Sequence, residues 1–208
     1  AMGPQSWWPA ETPFEVVVGA ILTQNTTWTA VERAIAGLEA EGAMTPHGLR
    51  TLPDERLREL IRPTGYFNAK AVKLRAFESL LFDRFDGELD ALFALDVTEL
   101  RTLLLSTHGF GPETADATIL YAANKRSFVI DAYTRRVLGR MGIVVAPDTY
   151  EGWRSAFEAV LPPDTQHWNE LHALLDEHAA AVCVKRSPRC GECVLRERCD
   201  AAGQTGTG

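Results

Sequence analysis

Leu105-Ser-Thr-His-Gly-Phe-Gly-Pro-Glu-Thr-Ala-Asp116 places two glycines one residue apart between two segments with helical apolar periodicity. Gly109 and Gly111 can both take positive φ and present bare backbone, so successive N–H groups can point outward where the next helix begins. Helix N-termini bind phosphate without side-chain charge and contact a nucleic-acid backbone without reading its sequence. The stretch predicts an anion-binding turn between two helices, while a plain helix–turn–helix without a ligand stays open.

The rest of the chain predicts an all-α fold. Apolar residues recur at three- and four-residue steps in segment after segment, and no sustained alternation of period two is present. With 208 residues, of which 46% are hydrophobic, the chain is long enough to bury one substantial core or two smaller lobes. The predicted helices cover residues 13–22, 27–41, 55–61, 68–82, 89–94, 97–106, 113–123, 131–141, 150–161 and 164–182.

No apolar run is long enough to cross a bilayer, because segments such as Val16–Leu22 are cut short by polar residues. The start of the chain also lacks the basic-then-apolar pattern of a secretory signal. No feature of the sequence indicates an oligomer. We therefore expect a monomer that has no membrane partner and lies in the cytoplasm.

The formal net charge of -7 argues against a nucleic-acid partner only if the charges are evenly spread. They are segregated, and the window from Cys183 to Cys199 is locally cationic. Its basic residues are Lys185, Arg186, Arg189, Arg196 and Arg198, against the acidic Glu192 and Glu197. The overall charge therefore does not exclude a phosphate-binding surface.

The four cysteines lie close together near the end of the chain, in the spacing C-x6-C-x2-C-x5-C at Cys183, Cys190, Cys193 and Cys199. Two disulfides are one interpretation, but without a secretory signal a reducing compartment is expected, and there clustered cysteines more often hold metal. Four thiolates suit zinc as well as iron. The residues alone thus predict a metal site and leave zinc and an iron–sulfur cluster open.

Two parts of the chain resemble one family. The stretch from Leu105 to Asp116 is similar to the helix-hairpin-helix, Gly/Pro…Asp motif of the DNA glycosylase superfamily, with the closing aspartate at Asp131. The cysteine spacing resembles the loop of endonuclease III and of the adenine-mismatch glycosylases, where it ligates a 4Fe-4S cluster. The resemblance runs from about Trp7 to Cys199. It implies an all-α, two-lobed glycosylase with a 4Fe-4S cofactor.

The family fold also implies the domain organisation and the partner. Residues 15–125 would form a multi-helix barrel lobe with the hairpin, residues 1–14 and 126–200 an iron–sulfur cluster lobe, and residues 201–208 a flexible tail. Double-stranded DNA with damaged bases would lie across the cleft, with one base flipped into it. Such an enzyme would be associated with the nucleoid.

The implied phosphate contacts come from two places. One is the hairpin, through Gly109 and Gly111, and the other is the cluster loop, through Lys185, Arg186 and Arg189. A merely solvated charged loop is the open alternative for the latter.

The chain departs from endonuclease III at the residue that carries the lyase chemistry. Bifunctional members have a Lys in the hairpin helix, where this chain has Glu113, and that Lys forms a Schiff base with the sugar. Glu113 cannot form one, and its role is open. Asp131 remains as the carboxylate that would stabilise oxocarbenium-like charge on the sugar or orient the attacking water. Asp131 could also simply N-cap the helix that follows it.

A second resemblance bears on the substrate. Trp7-Trp8-Pro9, the stretch Gly65-Tyr-Phe-Asn-Ala-Lys-Ala71 and the hairpin look like the helix-hairpin-helix 3-methyladenine DNA glycosylases, which line the base pocket with aromatics. Alkylated purines carry positive charge, which electron-rich rings attract by stacking and cation–π interaction. Ala132 departs from that subfamily, which can have Lys there. Core packing of the N-terminal arm is the alternative, and Phe14, Trp28 and Trp168 are assigned to the core.

A flipped base leaves a gap in the DNA stack that side chains must fill. By family position, Gln24 is expected to plug this gap, and Tyr66 stands where endonuclease III inserts an apolar wedge. Both could instead be ordinary helix-end residues. The leading hypothesis is a monofunctional glycosylase for alkylated purines. A bifunctional glycosylase/AP lyase on oxidised pyrimidines and a non-catalytic binder of DNA lesions are the alternatives.

Overall fold

The structure is a computed structural model that describes residues 3–5 and 7–204, with side chains as far as Ala202. Within these residues the fold is all-α, as predicted, and contains no strand. The helices are α1 Pro13–Leu22, α2 Trp28–Ala40, α3 Pro46–Thr51, α4 Asp54–Ile61, α5 Phe67–Phe85, α6 Leu89–Phe93, α7 Val97–Ser106, α8 Pro112–Ala117, α9 Ala132–Arg140, α10 Tyr150–Val160, α11 Thr165–Ala181 and α12 Asp200–Gln204. Short 3-10 turns cover Arg62–Thr64, Cys190–Glu192 and Arg196–Arg198.

The periodicity located most helices to within a few residues, and the exceptions have local causes. Helix α3 was missed because Thr45-Pro46 was interpreted as a turn, whereas the Thr45 hydroxyl caps Gly48 N–H and Pro46 takes the first helical position. The helix predicted over 113–123 is present, but its type changes: α8 ends at Ala117 and a π-helical turn, Thr118–Ala122, continues it. Such turns are frequent at functional sites.

The chain divides into two compact units. The hairpin unit is Trp8–Lys125, and the cluster unit combines Ala1–Trp7 with Arg126–Gly208. The lobes proposed from the sequence met at 14/15 and 125/126, so the segment from Trp8 to Phe14 differs in its assignment. Its side chains explain why, because Phe14 is a buried member of the hairpin-unit core and Trp8 packs against that core.

The hairpin unit surrounds one apolar core. Helix α1 is buried along almost its whole length and contributes six apolar side chains to the core, together with one face each of α2, α4, α5 and α7. Phe77 of α5 lies near its centre, with ring centroids 6.3 Å from Phe14 and 5.6 Å from Phe110 of the hairpin. The hairpin is therefore packed into the core through Phe110, which leaves the adjacent glycine backbone at the surface.

In the cluster unit, α9 packs against α11, and a second group of aromatic residues supports them. Phe128 stacks on Phe157 with centroids 5.1 Å apart, and Trp168 is buried, as predicted for the core. The flexible tail predicted from residue 201 is wrong as far as 204, because α12 packs on α9 and Ala202 is buried. Residues 205–208 of that predicted tail lie outside the described residues.

Candidate active site

The turn between α7 and α8 contains both glycines, but only one takes positive φ. Gly109 has φ +100°, and a Cβ built on it would lie 2.3 Å from Cγ of Lys73. Both the backbone conformation and the packing therefore require glycine at this position. Gly111 has φ -81° and ψ 174°, which corrects the expectation for it. It is the N-cap of α8, a position that takes extended backbone. No atom of the described residues lies within 4 Å of a Cβ built on Gly111, so neither conformation nor packing demands glycine there.

A buried ion pair fixes the two hairpin helices to each other. Arg101 of α7 donates to both carboxylate oxygens of Asp116 in α8, at 2.8 Å and 3.1 Å. The Asp116 side chain is fully buried, and that of Arg101 is 14% exposed. Bidentate geometry makes such pairs stronger and directional. The pair therefore holds the angle between α7 and α8, and with it the shape of the glycine turn.

Gln24, the predicted plug, is hydrogen-bonded to the hairpin. Its Nε2 donates to the Gly109 carbonyl at 3.1 Å and to Thr114 Oγ1 at 3.0 Å, and its Oε1 accepts from Lys73 Nζ at 2.5 Å. Asn25, the next residue, has φ +54°. Insertion of Gln24 into DNA would require these three hydrogen bonds to break. Its role as plug stays a prediction.

Tyr66, the predicted wedge, is unusually exposed and lies in an unfavourable backbone conformation. Its relative exposure is 74%, the highest among the aromatic residues with exposed side chains. It precedes α5 with φ +46° and ψ 27°, a left-handed conformation that is a genuine outlier for a bulky residue. Strained residues of this kind cluster at functional sites. The geometry is compatible with a wedge, which stays a prediction.

Three aromatic side chains of the hairpin unit form a group that the sequence located only in part. The Trp8 ring lies edge-on to Trp28 and to Tyr121, with centroids at 5.5 Å and 5.6 Å. Trp28 was assigned to the core but is half-buried, and Tyr121 is positioned by the π-helical turn. Trp7, by contrast, belongs to the cluster unit. Of the predicted pocket residues Trp7, Trp8 and Pro9, Trp8 belongs to this aromatic group, and the pocket itself stays a prediction.

A groove of about 410 Å³ adjoins this aromatic group. Pro9 and Trp28 line it, and so do four carboxylates, those of Glu11, Glu15, Glu32 and Glu39. Glu15 also accepts from Glu11 N–H, which stabilises the start of α1. Acidic and aromatic walls together favour a cationic, planar occupant.

Asp131 is the N-cap of α9, which is the role that the sequence left open beside catalysis. One of its oxygens accepts from Thr134 N–H at 2.7 Å. Ligand atoms of Asp131, His172 and Asp176 all lie within 4.8 Å of one another. Burial lowers the pKa of His172, and the negative charge of Asp131 opposes this only in part. The imidazole is therefore neutral near pH 7. His172 and Asp176, which lie on one face of α11 four residues apart, were not predicted from the sequence.

The four cysteines surround one cavity, which tests whether they suit the implied cofactor. None of them is in a disulfide, and all four line an almost entirely apolar cavity of about 220 Å³ with Arg140, Val182, Pro188, Ala201 and Ala202. Four thiols converging on one dry cavity suit a thiolate-ligated metal cluster. The alternative interpretation, two disulfides among these cysteines, is not observed.

The loop between the first two cysteines is tied down, and its basic side chains point outward. Arg140 of α9 donates to the carbonyls of Cys183 and Val184 at 3.1 Å and 2.9 Å, and to that of Lys185 at 3.0 Å. Lys185, Arg186 and Arg189 are all exposed. A fixed backbone with exposed cationic side chains suits phosphate binding. Their contact with DNA stays a prediction.

The sequence matches two known protein families over these same elements. Residues 18–163 match the HhH-GPD superfamily base excision DNA repair protein, and residues 183–199 match the iron-sulfur binding domain of endonuclease III. The chain belongs to the HhH-GPD superfamily. Its resemblance to the helix-hairpin-helix DNA glycosylases is thereby confirmed.

Individual relatives agree with this membership. A putative DNA repair glycosylase of Methanocaldococcus jannaschii is 42% identical over 198 residues, which cover 95% of this chain and 90% of the relative. The structure of a non-covalent endonuclease III–DNA complex has the same fold, with a TM-score of 0.80 at 23% identity over 94% of this chain and 86% of that one. Helicobacter pylori 3-methyladenine DNA glycosylase bound to 1,N6-ethenoadenine gives a TM-score of 0.70 at 26% identity, covering 86% and 89%.

This HhH-GPD protein is therefore a base excision repair DNA glycosylase that acts on DNA. It holds a 4Fe-4S cluster through Cys183, Cys190, Cys193 and Cys199, which confirms the iron–sulfur interpretation over zinc. In the described part of the glycosylase, no helix has the length and apolarity that a membrane span requires.

Proposed function

We propose that this glycosylase is monofunctional and releases alkylated purines such as 3-methyladenine by hydrolysis. The reaction type follows from Glu113, which occupies the second position of α8 and is exposed. A carboxylate cannot form the Schiff base on which strand cleavage depends. The substrate class follows from the aromatic group of Trp8, Trp28 and Tyr121.

Two of the other amines of the chain, those of Lys70 and Lys125, support the first half of the proposal. The sequence has four lysines. Lys125 donates to the Leu95 carbonyl, and buried Lys70 donates to the carbonyls of Leu22 and Thr64 at 2.8 Å and 2.7 Å. These two are held by structural hydrogen bonds. Lys185 is on the cluster loop, and Lys73 is bonded to Gln24.

In the proposed reaction, Asp131 carries the charge that the transition state needs. Breaking an N-glycosidic bond builds positive charge on the sugar, and a carboxylate nearby stabilises that charge more than it stabilises the ground state. Its N-cap hydrogen bond fixes one oxygen, and the neutral His172 ring lies beside it without adding a competing cation. An alkylated purine is already a good leaving group, so no covalent nucleophile is needed.

The aromatic group of Trp8, Trp28 and Tyr121 is the basis for the proposed substrate class. A purine alkylated at N3 is cationic, and tryptophan faces attract cations more than phenyl rings do. Trp28 and Pro9 also line the groove that four glutamates surround, and these carboxylates favour the same charge. Similarity to a 3-methyladenine DNA glycosylase structure supports this choice. We further propose that the protein acts as a monomer and is located with the chromosomal DNA.

The test is release of free base from duplexes that carry 3-methyladenine or an oxidised pyrimidine. We expect the alkylated purine to be released by the wild type and not by Asp131→Asn, because Asn keeps the N-cap but removes the charge. Asp164→Asn is the matched control, since Asp164 N-caps α11 in the same way and should tolerate the change. Release of neither base would favour the non-catalytic lesion binder.

A bifunctional glycosylase/AP lyase on oxidised pyrimidines is the second candidate. Lys73 favours it, because its aliphatic carbons pack against the hairpin residue Gly109 and its amine, bonded to Gln24, could attack the sugar in place of the missing lysine. Borohydride traps such a Schiff base as a covalent protein–DNA adduct. An adduct that Lys73→Arg abolishes would support the lyase and refute the monofunctional proposal. We expect no adduct.

A further inference from the structure

Lys73 connects three parts of the hairpin unit. It lies in the second turn of α5, where its aliphatic carbons pack directly beneath Gly109 and its Nζ reaches Gln24 Oε1 at 2.5 Å. The Gln24 amide then continues to the Gly109 carbonyl and to Thr114 of α8. The segment after α1, the glycine turn and α5 are thus joined through two side chains.

The orientation of the Gln24 amide follows from its partners. An ammonium group only donates, so the atom that faces Lys73 must be the oxygen. The nitrogen then faces a backbone carbonyl and a hydroxyl, both of which accept. All three hydrogen bonds are thus consistent with one assignment of the oxygen and nitrogen atoms of the Gln24 amide. Lys73 is therefore one of three partners that hold the Gln24 side chain against the hairpin.

The hairpin itself contributes little positive charge. Helix α8 has only six residues, Pro112 at its first position has no N–H, and Glu113 at its second adds a negative charge. The Lys73 side chain packs against this turn through its aliphatic carbons, and the residue is half-buried. Its ammonium has three N–H donors, of which the bond to Gln24 uses one. Lys73 thus brings a positive charge to the hairpin, with donors left for an anion.

We propose that Lys73 binds a DNA phosphate beside the hairpin, and that this contact loosens its hold on Gln24. A phosphate oxygen is a stronger acceptor for an ammonium than a neutral amide is. When phosphate takes the ammonium, Gln24 loses a charged partner and is freer to leave the hairpin. Backbone contact and movement of Gln24 are then coupled through one residue. The second part rests on the proposed role of Gln24 as the plug.

The first test measures binding to an undamaged duplex at several salt concentrations. Each phosphate contact contributes about 0.9 to the slope of log K against log salt. We expect Lys73→Gln to reduce the slope by about 0.9 on every DNA sequence and Lys73→Arg to retain it. Arg84→Gln removes a charge from the exposed end of the same helix and should leave the slope unchanged. An unchanged slope for Lys73→Gln, with an unaltered melting temperature, would overturn the proposal.

The second test is a double-mutant cycle on single-turnover excision of whichever base the protein releases. If Lys73 acts through Gln24, Lys73→Gln should slow excision less in a protein that already carries Gln24→Ala. The rate reduction in the double variant should therefore be at least about threefold smaller than the product of the reductions in the two single variants. Multiplicative effects would refute the coupling and leave the phosphate contact standing. Because the salt test uses undamaged DNA, failure of the proposed substrate assignment would not affect it.

Discussion

Replacing Tyr66 by asparagine should leave the fold intact and impair excision. Tyr66 is 74% exposed, so about a quarter of its side chain, roughly 50 Å², is buried, and losing it costs about 1 kcal/mol. The left-handed conformation at φ +46° costs a tyrosine about 1–2 kcal/mol, and asparagine adopts it more readily. The two effects offset each other to within about 1 kcal/mol, which shifts the melting temperature by no more than about 4 °C.

Excision should respond differently, because a wedge that fills the stack lowers the cost of flipping. That cost is a few kcal/mol, so loss of the wedge should slow single-turnover excision by about tenfold or more. Tyr66→Phe keeps the ring and should keep the rate. Val160→Asn, which replaces an equally exposed apolar side chain at the end of α10, should change neither quantity. Unfolding destabilised by more than about 2 kcal/mol, or an unchanged excision rate, would show that the reasoning about Tyr66 is wrong.

Three further predictions concern charge. Arg101→Met removes the bidentate cationic partner of the buried Asp116 carboxylate and should lower the free energy of unfolding by about 3–5 kcal/mol in urea titrations, and adding Asp116→Leu should restore much of it; equal losses in the single and double variants would contradict this. Arg186→Ala with Arg189→Ala should reduce the salt slope of DNA binding by about 1.8, and an unchanged slope would mean that the cluster loop does not contact phosphate. Burial lowers the pKa of Lys70 to about 8 against 10.5 in the unfolded chain, so between these pH values the unfolded chain binds more protons than the folded protein. The free energy of unfolding of the wild type should therefore rise with pH across this range relative to that of Lys70→Met, and parallel curves for the two proteins would refute this.

The features that are determined by residues close together along the chain could be predicted from the sequence. Helical periodicity gave the bounds of α1 and α7 as observed, and the spacing of the cysteines indicated the cluster before any geometry was known. Both signals are local, since a helix needs a repeating apolar face and a cluster loop needs ligands at fixed separations. The glycine turn was located correctly, although only Gly109 uses positive φ.

The contacts that position the site could not be predicted in this way. His172 and Asp176 reach Asp131 from a helix some forty residues further along the chain, and nothing in the periodicity of α11 distinguishes them from ordinary core and surface positions. Lys73 meets Gln24 across 49 residues. Tyr121 is placed by a π-helical turn that no propensity indicates. Long-range pairing of polar groups depends on tertiary packing, which single-sequence patterns do not encode.

The anchoring of α9 explains why one unit carries both the cluster and the carboxylate. Asp131 caps the first turn of this helix, while Arg136 and Arg140 on its later turns both donate to the Cys183 carbonyl, at 2.9 Å and 3.1 Å. The Cys199 thiol lies 3.3 Å from the Arg140 carbonyl at the other end of the same helix. A nine-residue helix is only about 13 Å long and does not bend over that length. Because this short helix is rigid and its last turns are bonded to the segments that carry Cys183 and Cys199, we expect the order of the cysteines to influence where Asp131 lies at its first turn.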